Sequence, residues 1–351
     1  MYDIPAVPTF PDNETQLRVE TSALRRRMLE GSWGPDLERY LQSQIDLSRR
    51  ATWGTIDQSS NVFAHSCKAL AVLYSEKPLV GVPRESREQA EPYLQHDGAL
   101  DRSNFFSIMQ SVQYKTIGIR EMFLRVDVSD SKELLFRPVT PDMVYASAPA
   151  GDPLKPNVIY EYRLRQNMQT KKMFWTADVY DLRDEDNPKY QVQKVDMDGT
   201  FTEDLSDIFL GGNMDGANYP YRDSQGKAFL PWVVYHASMT GKLFNPYELS
   251  SVVSGSLQAS CYYCFLKHLF LDSAWPQRYV SNLQLAGLST YGTGEQTQRM
   301  SISADPSSIL CFVPDPDNQS QPMIGQFEAG LKDPNQMISA ITVYERRLSS
   351  M

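Results

Sequence analysis

At 351 residues, with 41% hydrophobic, 11% aromatic and 22% charged positions, the chain has a globular composition and length enough for two or three domains. A formal charge of −9 argues against a protein that coats nucleic acid with a basic surface, though not against one past which nucleic acid slides. Four cysteines, Cys67, Cys261, Cys264 and Cys311, are too sparse for a disulfide framework, so a reduced, intracellular setting is expected.

The opening MYDIPAVPTFPDNE has neither a basic nor an apolar leader region, so no signal peptide is expected. No uninterrupted apolar run reaches membrane-spanning length. Residues 14–30 read as an amphipathic helix with Leu17, Leu24 and Met28 on one side, ended by Gly31 and Gly34. A helix restarts over Asp36–Arg50, and a third runs from Asp57 to Lys77, before Pro78. A polar, proline-punctuated link covers 81–98. A fourth helix is expected over Asp101–Lys115, with Asp101–Arg102–Ser103 as its cap.

The period then changes. In Met122–Val128, Met122, Leu124, Val126 and Val128 alternate with Phe123, Arg125 and Asp127, the pattern of a half-buried strand. Further strands are expected at 134–139, 158–165, 173–182, 189–195 and 229–236, separated by turn signals such as Asp186-Asn187-Pro188 and Asp198-Gly199. The polar loop 211–226, with four glycines, reads as mobile.

Pro246–Trp275 reads as one long helix, about 45 Å at 1.5 Å per residue. Its first half is rich in small residues, and its second is apolar nearly all round, so it must be buried on several sides. Residues 287–299 look like an exposed loop. Strand-like pieces at Ser308–Val313 and Met323–Phe327 flank the polar segment Pro314–Pro322. Asp333–Met351 reads as a helix with no stop signal, as though the polypeptide continues.

The motif search yields no catalytic residue, metal site or cofactor. Cys261-Tyr-Tyr-Cys264 lies mid-helix rather than opening a helix after a strand, so its cysteines read as packing thiols. Gly292-Thr-Gly294 lacks the third glycine of a dinucleotide fingerprint, position 297 being threonine. His65, His96, His236 and His268 are scattered. The pairs Asp196/Asp198 and Asp315/Asp317 read as solvated turn carboxylates. Arg25-Arg26-Arg27 reads as a solvated face or a source of subunit salt bridges, with phosphate contact as a minority reading.

The order of parts resembles the portal proteins of tailed bacteriophages, the head-to-tail connector family. Three stretches carry the resemblance: LAVLYSEKPLV (70–80), the strand and long helix FLPWVVYHASMTGKLFNPYELSSVVSGSLQASCYYCFLKHLF (229–270), and SSILCFVPDPDNQSQPMIGQFEAG (307–330) leading into the last helix. The resemblance implies an α+β, portal-like fold. Residues 1–115 would be an N-terminal helical wing and 116–245 a β-rich wing. Residues 246–275 would be the first stem helix, 276–330 a small α/β clip, and 331–351 the second stem helix. The family's tunnel loop and crown have no counterpart here.

Functionally, the resemblance implies a ring, usually of twelve copies, at one capsid vertex of the virion, assembled in the host cytoplasm. DNA would pass through it non-specifically during packaging and ejection. The terminase large subunit, a tail adaptor and the major capsid protein would be partners, with no enzyme activity and no membrane. Lys267, His268, Arg278 and Arg299 become candidates to face DNA. Ser251, Ser254, Gly255 and Ala259 become candidates for subunit contact, where Gly255→Leu is expected to block assembly and leave the strands folded. Twelve copies would carry roughly −108 in formal charge, which should keep DNA from adhering to the channel. The competing reading is an intracellular α+β enzyme or ligand-binding protein without a recognisable motif. A third is another capsid or tail structural protein.

Overall fold

The computed structural model describes residues 13–44, 56–76, 86–94, 98–129, 131, 133–167, 170–274, 277–281, 283–285, 312–314, 323–327 and 334–350. The fold is α+β. The chain divides into two compact units. The first takes the described residues up to Asp36 together with Asn61–Ser256, and the second takes Leu37–Ser60 and Leu257–Ser350.

In the first unit, helices α1 (Asn13–Glu30), α3 (Val62–Leu70), α4 (Arg87–Leu94), α5 (Ala99–Arg102) and α6 (Phe105–Ile119) precede the strands, and α2 (Gly34–Gln44) begins here. The expected third helix is shorter than its periodicity suggested. It starts only at Val62 because Asn61 caps it, accepting from the Ala64 N–H at 3.0 Å. The expected fourth helix moves four residues on, to Phe105–Ile119. Asn104, at φ 55°, separates it from the short α5. The 81–98 link contains α4.

Among the described residues, nine strands follow in this unit. β1 (Glu121–Val128) lies between β2 (Leu134–Val139) and β9 (Trp232–His236) in an antiparallel three-stranded sheet. A second sheet runs β3 (Val144–Ser147), β4 (Val158–Gln166), β5 (Met173–Asp181), β6 (Lys189–Val195) and β7 (Phe201–Asp204), with β8 (Met214–Asp215) also on β6 and the short helix α7 (Ser206–Leu210) between β7 and β8. One face of this sheet, with Tyr162, Trp175, Ala177, Val179 and Val195, packs on Val19 of α1.

The opposite face corrects the simple reading of alternation. Glu161, Thr176 and Asp178 sit at 3%, 0% and 1% exposure. Glu161 and Asp178 bond to Arg125 of β1, and Thr176 accepts from Arg165, so the charged side of β4 and β5 closes against the other sheet. The 211–226 loop is also packed. Tyr219 and Tyr221 insert beside the stacked pair Tyr180–Tyr190, whose ring centroids are 4.5 Å apart. Its glycines supply turns, and its tyrosines anchor it.

The long helix α8 spans Ser250–Ala274, contributing its first residues to the first unit and the rest to the second. In the second unit it is followed by two nested antiparallel ribbons. β10 (Gln277–Ser281) pairs with β13 (Met323–Phe327), and β11 (Leu283–Leu285) pairs with β12 (Phe312–Pro314). Helix α9 (Pro334–Ser349) then meets α8 through Tyr344 and Glu345. Tyr344 OH donates to Gln258 at 2.9 Å, and Tyr263 OH donates to Glu345 at 3.2 Å. The rings of Tyr262 and Tyr344 meet edge to face. Among the described residues, no helix is long and apolar enough to cross a membrane.

Candidate functional site

The most organised polar construction of the first unit lies at the foot of α8. The sequence expected the helix from Pro246, but helical bonding begins at Ser250 because Pro246–Leu249 are held otherwise. Arg25 of α1 donates Nη2 to the carbonyls of Pro246, at 2.8 Å, and Glu248. Its Nη1 reaches the Ile119 carbonyl at the end of α6, at 3.4 Å. The Glu248 carboxylate accepts from Arg120 at 2.5 Å, Ser238 at 2.8 Å and Asn245 Nδ2 at 2.6 Å. Burial pulls Glu248 upward, but the Ser238 hydroxyl and the Arg120 guanidinium hold it below the usual glutamate range.

The backbone contributes to this clasp. Arg120 (φ 88°) turns the chain from α6 into β1, and Leu249 (φ 62°) turns it into α8. Both are left-handed without being glycine, a cost that surrounding contacts must offset. Arg25 is 1% exposed, and desolvation lowers it to about 10. It stays protonated at neutral pH and its charge is satisfied largely by carbonyl oxygens.

A second cluster joins the two sheets. Arg125 Nη1 lies 3.1 Å from Glu161 and 3.3 Å from Asp178, and its Nε lies 2.7 Å from Asp127. Arg163 reaches Glu161 at 2.6 Å and Asp178 at 3.2 Å, while Arg165 reaches Asp178 at 2.8 Å. Tyr221 OH donates to Asp127 at 3.0 Å. Three guanidiniums and three carboxylates thus neutralise one another, an arrangement suited to fixing one sheet on the other.

The basic run of α1 belongs to these internal bonds, which corrects its reading as a solvated, intersubunit or phosphate-binding face. Beside Arg25, Arg26 pairs with Asp142 at 3.0 Å and Arg27 with Asp36 at 2.7 Å. The thiols are equally inward. Cys67, Cys261 and Cys264 are free and buried. Burial pushes Cys67 up to about 11 and Cys261 up to about 12, so neither supplies a thiolate at neutral pH. Among the described residues, no group of three or more His, Cys, Asp or Glu side chains could hold a metal ion.

The residues singled out in the sequence are dispersed. Ser251 and Ser254 are exposed on α8, whereas Gly255 and Ala259 are buried. Lys267 is exposed and lies near Asp57, whose carboxyl is lowered first by Ser59 and further by that ammonium. His268 is half-buried. Arg278 lies on β10. Arg299, Asp315, Asp317, Cys311 and the whole of 287–299, including the Gly292–Gly294 segment, lie outside the described residues.

Sequence reasoning missed Arg120, Glu121, Asn245 and Glu248. The available signals were weak: an Arg-Glu pair where helical period gives way to strand period, and Asn245-Pro246, a turn dipeptide just ahead of the long helix. No family model and no curated protein matches this chain.

Proposed function

We propose that this chain is the subunit of a portal ring, a structural protein at one capsid vertex of a tailed bacteriophage through which DNA passes during packaging and ejection. The observation that carries the reading is the course of the chain from β9 onward. A strand leads through a clasped segment into a 25-residue helix. Two nested ribbons follow, and a 16-residue helix comes back to touch the middle of the first. In this reading α8 and α9 are stem helices, and the ribbons between them form the clip that docks the terminase large subunit and later the tail adaptor. The helices and two sheets of the first unit form the wing toward the major capsid protein. Lys267, His268, Arg278 and Arg299 remain the channel-facing candidates.

The clasp suits such a role, because a stem that transmits force needs a fixed root in the wing. The test is the mass of the purified chain by light scattering, together with negative-stain images. A closed ring of about twelve copies is expected, with weak, salt-sensitive DNA binding. Compact monomers at all concentrations, with or without capsid scaffold, would favour an α+β enzyme or ligand-binding protein instead.

A further inference from the structure

Glu121, the first residue of β1, is 3% exposed. Its carboxyl accepts the Asn245 N–H at 2.6 Å. Among the described residues it forms no ion pair, although three arginines surround it. Arg18 is held by the carbonyls of Pro141 and Val144, at 2.7 and 2.9 Å. Arg25 is held by carbonyls at both ends of the clasp, and Arg120 by Glu248. A carboxyl so enclosed, with one backbone donor and only distant positive charge, is costly to ionise. Desolvation accordingly lifts Glu121 from 4.5 to about 7, against the pull of Asn245, Arg25, Arg120 and Arg18.

Among the described residues, Cys67 of α3 and the already ionised Glu248 act on the same Arg25 and Arg120 that surround Glu121, and His236 is the titratable group across the sheet. His236 lies opposite Glu121 in the β1–β9 register, and burial lowers its pKa.

We propose that Glu121 is a proton-controlled latch on the segment 245–249: protonated, it lets the clasp close firmly around the foot of the long helix, and ionised, it loosens that hold. Its partner is the proton, and the inference does not depend on the chain forming a ring. The neutral acid keeps its carbonyl oxygen for the Asn245 N–H, so protonation leaves that hydrogen bond in place. Opening exposes the carboxyl and returns it to its ordinary range, releasing a proton. Opening is therefore favoured as pH rises from about 4.5 to about 7 and levels off above that. His236 acts with the opposite sign, since its release takes up a proton below its ordinary value.

The test is hydrogen exchange of the intact chain across 244–257, corrected for intrinsic rates, in wild type and Glu121→Gln. His236 is common to both proteins and cancels in their difference. Between pH 5 and 7, wild-type protection should fall by roughly 30-fold relative to the variant. Parallel profiles would overturn the proposal. Should Glu121→Gln not fold, a carbon-13 titration of the wild-type carboxyl decides. A Glu121 midpoint near 7 supports the latch, and one below about 5 removes it.

Discussion

Arg125 has three carboxylates within 3.3 Å and the Tyr180 ring 5.4 Å from its Cζ. It is 6% exposed, so its charge is tolerated only because those partners replace water. Arg125→Met would leave Glu161 and Asp178 buried with only Arg163 and Arg165 to balance them. We expect a loss of about 3 kcal/mol in urea unfolding, and a loss under about 1 kcal/mol would show that the network contributes little. The sequence marks Arg125, Glu161 and Asp178 as the polar half of alternating strands, which ordinarily means solvent. Alternation identifies the two faces of a strand without saying what lies over either, and a second sheet covers this one. Arg25 was obscured similarly, since a run of three arginines reads as surface unless the carbonyls awaiting one of them are known.

Among the elements, the strands were the most legible. Period 2 located β1, β2, β4, β5, β6 and β9 to within a few residues, because each carries apolar side chains on one face. The short β3, β7 and β8 were missed, having too few residues to show a period. Helix limits shifted where local bonds compete with periodicity, as at the Asn61 cap and the 246–249 clasp.

Helices approach closely at Gly118 of α6, a position that the sequence reading passed over. A Cβ there would lie 2.9 Å from Leu29 Cδ1 and 3.1 Å from Cys67 Sγ, atoms of α1 and α3. Gly118→Ala should be near neutral, because the helix gains about 1 kcal/mol in propensity while the Leu29 tip must shift. Gly118→Leu should cost about 1–3 kcal/mol through overpacking. Thermal unfolding of the pair checks the order, and equal midpoints would mean that the three helices are less tightly apposed there.

At the scale of the whole molecule, the surface of α8 determines how assembly should be tested. Gly255→Leu is a poor probe, because Gly255 is buried and the substitution acts first on the chain's own packing. Ser254 is exposed, and its hydroxyl merely bonds back to the Ser250 carbonyl at 2.9 Å. Ser254→Arg should leave monomer stability within about 0.5 kcal/mol of wild type. In a ring it would place an arginine at the same helix position in every copy, so we expect light scattering to report loss of the large species. An unchanged mass would take this face of α8 out of the subunit contact. The fold class was legible because helical and strand periods occupy separate stretches of chain. The clasp was not, because its parts come from α1, the α6–β1 junction and residues 245–249, and no window of sequence contains them together.

That dispersal sets a timetable for synthesis. Arg18 bonds to a carbonyl 123 residues later, and Arg25 to one 223 residues later. A ribosome adding roughly 5–20 residues per second makes α1 and then leaves Arg25 without its Glu248 acceptor for about 10–45 seconds. The sheet that packs on Val19 is complete once Asp204 is made, before the clasp can form. The foot of α8 is therefore among the last parts of the first unit to close, and a nascent chain halted before residue 245 would hold α1 in waiting.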